Sequence, residues 1–70
     1  MTIQRLREIA AHHQQVASAN RSAARGLKNL LPDVAENHRK EGAFHEVIAA
    51  ELTEFADALS DITTLLTSAK

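Results

Sequence analysis

Apolar residues recur along this chain with a period of seven rather than two, which makes helix the expected secondary structure. In the first segment Ile3, Ala10, Ala17, Ala24 and Leu31 fall on one row, and Leu6, His13, Asn20 and Leu27 on the row beside it. Ile9, Val16, Ala23 and Leu30 form a third. Three adjacent rows give the broad apolar face of a bundle helix rather than the narrow seam of a two-row coiled coil. A first helix is therefore expected from Ile3 to between Arg25 and Leu31. Gly26 leaves its end ambiguous: it suits a glycine cap after Arg25, or it sits inside the helix at a cost of about 1 kcal/mol relative to Ala. Leu27, Leu30 and Leu31 stay in register, which favours continuation to Leu31.

Pro32 fits the first position of a second helix, where a missing N–H is no loss, and Asp33 and Glu36 complement the dipole there. On that helix Val34, Ile48, Phe55, Ile62 and Ala69 share one row, Phe44, Ala58 and Leu65 the next, and Leu52, Leu59 and Leu66 a third. The pattern fails over residues 37–42, which are polar up to Gly42. That stretch is either a solvated turn of one long helix or a break between a short helix (33–41) and a main one (43–68); the firm expectation is a strongly amphipathic helix over 43–67. Ala49, Ala56 and Thr63 form a row of small residues beside the large ones, which would let another helix approach closely. The expected fold is all-α: an antiparallel helical hairpin of two long helices, reversing near Leu31-Pro32, as a single domain over residues 1–70.

Composition agrees with this reading. Apolar residues at 44% and charged residues at 24% are those of a globular chain, so disorder by composition is not expected. One Pro, two Gly and no Trp or Tyr disfavour a many-turned β architecture. The absence of Cys excludes a disulfide scaffold and thiolate zinc sites, and makes a reduced, cytoplasmic setting the default expectation. Apolar runs are only a few residues long where a bilayer span needs ~20, and Arg5, Arg7 and Glu8 stand where a signal peptide needs apolar residues, so no membrane association or export is expected.

The net charge of −1 hides a split between the halves. Residues 1–32 hold Arg5, Arg7, Arg21, Arg25 and Lys28 against Glu8, a net +4; residues 33–70 hold three cations against eight acids, a net −5. In a hairpin Arg5 or Arg7 would face Asp57 or Asp61, and Lys28 would face Glu36. Exposed pairs add only ~0–1 kcal/mol each, so the split selects antiparallel orientation rather than supplying stability. A two-layer hairpin this small cannot bury stripes of this width. Self-association is therefore expected, as a homodimer of two hairpins in a four-helix bundle with central contacts from Ile48, Leu52, Phe55, Leu59 and Ile62, together with docking on a heterologous protein partner.

Candidate chemistry is sparse. His12, His13, His38 and His45 lack the spacing of a three-ligand metal site, so no metal is expected, and Glu41 with His45 reads as an exposed pair four residues apart. His13 and Asn20 interrupt an apolar row one heptad apart. They are either buried polar residues that set register, or rim residues on a slightly rotated helix. The segment from His38 to Ala43 resembles the histidine-phosphotransfer motif, with Gly42 and Ala43 at plus four and plus five from His38. It departs at plus three, where Glu41 stands in place of Lys and would repel a phosphoryl group, so a solvated polar turn is the expectation. Arg21, Arg25 and Lys28 share a face, but three cations without aromatic company, beside an acidic second half, are too few for nucleic-acid binding. No Cys nucleophile, no Gly-rich phosphate loop and no acid–base partner for Ser18, Ser22, Ser60 or Ser68 leave an enzyme without material, and no cofactor is implied. The remaining expectation is a small non-catalytic regulator or inhibitor that acts by contact, with an assembly subunit as the alternative. The plan of a helix ending in Leu-Pro followed by one ending Ala58 to Leu66 resembles small bacterial helical antiactivators, and phage-encoded inhibitors of host defence are built on the same scale.

Overall fold

The computed structural model describes residues 2–68 and contains two helices, α1 (Ile3–Leu27) and α2 (Pro32–Ser68). They lie antiparallel as a hairpin 61 Å long with a 15 by 13 Å cross-section. Thr2 opens α1 from an extended conformation, its hydroxyl accepting the Arg5 N–H at 3.0 Å and its carbonyl accepting the Leu6 N–H at 3.0 Å. The hydroxyl contact satisfies one of the amide groups that a helix start leaves unpaired, and the carbonyl contact is the first bond of the helix.

α1 stops at Leu27, within the expected range of Arg25 to Leu31, and Gly26 lies inside it without a left-handed conformation. Pro32 is the physical reason, because the residue before a proline is pushed out of the helical region and Leu31 cannot prolong α1. The chain turns instead over residues 28–31, with the Leu30 and Leu31 N–H groups both returning to the Leu27 carbonyl at 3.2 and 2.8 Å. The Leu31 carbonyl then accepts the Ala35 N–H at 2.9 Å and starts α2.

Residues 37–42 form part of one unbroken helix. Gly42 marks a close approach rather than a break: a Cβ placed there would stand 3.2 Å from the Ala17 carbonyl oxygen and 3.4 Å from the Asn20 Cβ. Small residues fill most of the buried positions of the seam. Ala10 and Ala17 on α1 and Ala35, Gly42, Ala49 and Ala56 on α2 are buried, joined near the open end by Leu6. Both small rows repeat every seven residues, so a slight supercoil keeps them facing each other along the hairpin. The helix that this small row admits is α1 of the same hairpin, against which Ala49 and Ala56 are 0% exposed.

α2 outlasts α1 by 12 residues, since it has 37 against 25. The overhang lies at the open end, where residues 61–68 are all exposed. There the Thr63, Thr64 and Thr67 hydroxyls donate to carbonyls one turn back, so these side chains are satisfied within the helix. Ala69 of the apolar row and Lys70 of the charge count lie outside the described residues. Among those described, no helix is long and apolar enough to cross a membrane.

Candidate interaction surface

The rows that flank the alanine seam give the hairpin two broad faces of opposite character. On one, Arg7 meets Asp57 at 2.8 Å and Arg21 meets Glu46 at 2.6 Å across the two helices. The first is one of the pairings expected from the charge split. The expected Lys28–Glu36 contact does not form; Glu36 is taken by Arg39 on its own helix, through two contacts of 2.8 and 2.5 Å. That hydrogen-bonded guanidinium holds the Glu36 carboxyl below its ordinary value, and the carboxylate in turn raises Arg39. Arg5 likewise pairs locally, with Glu8 at 3.3 Å. A short local pair needs less chain ordering than a contact across the turn, which is why two of the cations stay on their own helix.

The other face is apolar. Ile9, Val16 and Ala23 supply it from α1, half-buried against the seam, and Ile48, Phe55 and Ile62 supply it from α2. Of the five residues expected at an oligomer interface, Ile48, Leu52 and Leu59 are half-buried in the hairpin, while Phe55 and Ile62 are 55% and 52% exposed. Phe44, Val47, Leu65 and Leu66 enlarge the exposed surface along α2 beyond those five. These six side chains between Phe44 and Leu66 are each more than half exposed, apolar surface that the hairpin leaves uncovered. The cause is local. Alanine and glycine occupy the line of closest approach, so the large side chains of both helices are displaced to its flank.

The seam also carries a polar ladder. His13 and His45 face each other with their Nδ1 atoms 2.7 Å apart and their rings stacked at 5.0 Å between centroids. A hydrogen bond there requires one ring to carry the Nδ1 proton and the other to accept it. One heptad further along α1, the Asn20 side-chain carbonyl accepts the His38 Nδ1–H at 2.8 Å, and its amide donates to the Val16 carbonyl at 3.0 Å. All four side chains are half-buried.

His38 therefore belongs to the seam and not to a solvated turn. His45 keeps only a 3.9 Å approach to Glu41, its main partner being His13. The signal was present in the sequence: His38 and His45 lie seven apart and continue the row of Leu52, Leu59 and Leu66, as His13 and Asn20 interrupt the row of Leu6 and Leu27. A slip of one heptad would keep one polar pair and set the other two polar side chains against leucine, so the ladder favours the observed register.

Among the described residues no three His, Asp or Glu side chains come together as a metal-binding group. The chain matches no protein-family model, no curated protein and no solved structure.

Proposed function

We propose that this chain is a non-catalytic protein-interaction module, a small cytoplasmic regulator or inhibitor that acts by contact and self-associates as a homodimer through its apolar face. The observation that carries the reading is the exposed stripe along α2 around Phe55, for which the hairpin offers no internal partner. Two such faces laid together form the second layer of a four-helix bundle, with Ile48, Leu52, Phe55, Leu59 and Ile62 at its centre and the charged faces outward. A heterologous partner would be held by the same apolar surface, so the regulatory form and the dimer compete for one face.

A second reading, an assembly subunit, is favoured by the two ends. Leu30 at the turn is 80% exposed and Leu65 on the overhang 70%, which would support end-to-end contacts beyond a closed dimer.

Light scattering after size exclusion, with circular dichroism melts at two well-separated concentrations, tests the proposal. The expected result is twice the 7.6 kDa chain mass and a melting temperature that rises with concentration. Phe55→Lys should abolish the dimer, because an ammonium left unpaired in the bundle core costs several kcal/mol. Higher polymers would favour the assembly reading. A helical monomer whose melting temperature ignores concentration would refute self-association.

A further inference from the structure

At the turn end of the hairpin, on the charged face, α1 and α2 leave a groove of about 370 Å³. Its floor is apolar, formed by Ala24, Pro32 and Ala35, and its walls carry the cations Arg21, Arg25, Lys28 and Arg39 against one carboxylate, Glu36. Arg39 is satisfied by Glu36, and Arg21 reaches Glu46. Among the described residues no carboxylate pairs with Arg25 or Lys28; Arg25 donates one hydrogen bond to the Ser22 hydroxyl at 3.2 Å, which leaves most of its five N–H donors free. One cation in the last turn is enough to complement the C-terminal end of α1. Four around a single groove, in a chain of net charge −1, exceed that need.

We propose that this groove binds a small phosphomonoester, with Arg25 and Lys28 on the phosphate oxygens and the organic body over Ala24, Pro32 and Ala35. Two free cations side by side match a group that concentrates close to two negative charges, and a guanidinium fork suits its oxygens in bidentate fashion. The size lies at the lower end of small-molecule sites, ~300–1,000 Å³. A long polyanion is disfavoured because Glu46 and Asp57 continue the same face toward the open end. The apolar floor favours an ester over the bare anion. Arg21 and Lys28 lie on the heptad row of Arg7, which faces Asp57, so the groove is on the side away from Phe55 and stays open whether or not the apolar face is covered.

The test is a ¹H–¹⁵N NMR titration of the full chain near pH 7.5, at ionic strength held constant with sodium chloride, using inorganic phosphate and glycerol 3-phosphate as probes. Saturable shifts are expected at the amides of Ala24, Arg25, Lys28 and Ala35, with glycerol 3-phosphate half-saturating at the lower concentration. The double variant Arg25→Gln/Lys28→Gln should lose at least tenfold in affinity while its circular dichroism spectrum stays helical and its melting temperature falls by only a few degrees, the effect of losing the cations at the C-terminal end of α1. Shifts that never saturate, equal affinity for the two probes, or wild-type affinity in the double variant would each overturn the proposal.

Discussion

The two glycines make the same substitution a test of the seam. Gly26→Ala and Gly42→Ala both replace a helical glycine, so each gains about 1 kcal/mol in helix propensity. Around Gly26 a Cβ meets nothing within 4 Å, and that gain should appear in full. Around Gly42 it would meet the Ala17 carbonyl oxygen at 3.2 Å, with the Asn20 Cβ at 3.4 Å and the Arg21 Cγ at 3.5 Å. The nearest of these is backbone on a packed helix and cannot rotate away, so relief requires the two helices to move apart and loosen the contacts of Ala10, Ala17, Ala49 and Ala56. Overpacking of this kind costs ~1–3 kcal/mol, which outweighs the propensity gain. Thermal melts followed by circular dichroism at one fixed concentration should show Gly26→Ala melting about 4–8 °C above wild type and Gly42→Ala several degrees below it, on the scale of ~4–8 °C per kcal/mol for a domain this size. An equal rise for both variants would refute the close approach at Gly42 and, with it, the small-residue seam.

The polar ladder predicts a coupled pair: His13→Leu alone should cost ~1 kcal/mol in urea unfolding because it strands the His45 Nδ1, while His13→Leu/His45→Leu should regain most of that loss. Additive effects of the two single variants would show that the 2.7 Å contact does not form in solution. At the turn end, Arg39 hydrogen-bonds Glu36 and holds its carboxyl below the ordinary value, so the folded form takes up that proton at lower pH than the unfolded chain. The pair's contribution is complete above the unfolded carboxylate range and is lost as pH falls through the lower folded value, with stability declining toward acid. An NMR titration should find the Glu36 midpoint moving upward in Arg39→Ala; an unmoved midpoint would refute the pairing.

What the sequence made legible was periodicity. Rows of seven identified two helices and their antiparallel order, and Pro32 marked the start of the second. The end of the first falls within the range the pattern allows but before its far limit, because the proline that begins α2 bars its predecessor from a helical conformation although Leu30 and Leu31 stay in register. The 37–42 stretch stayed ambiguous because polarity and a glycine were weighed as breaking signals, whereas Gly42 continues the row of Ala35, Ala49 and Ala56 and is the point at which α2 lies against the Ala17 carbonyl. His38 and His45 were likewise read against their sequence neighbours, Glu41 and the motif that follows, and not against the heptad row that carries them to Asn20 and His13. In a hairpin held by one long seam the repeat, more than the local chemistry, decides where these residues sit.

The same repeat explains why the hairpin leaves a broad apolar face exposed. Burial stabilises in proportion to apolar area, and alanine has little of it to give. A seam of alanine and glycine lets two backbones approach closely but leaves most of the transferable apolar area on Phe44, Phe55, Ile62, Leu65 and Leu66, each more than half exposed. A sequence selected only for a stable hairpin would place those side chains between the helices and space the axes further apart. Here the arrangement is inverted along the length of α2, with small residues inside, charged pairs on one face and large apolar residues on the other. Covering that last face is the largest gain still open to the chain, and this is the packing ground on which the proposed association with a second surface rests.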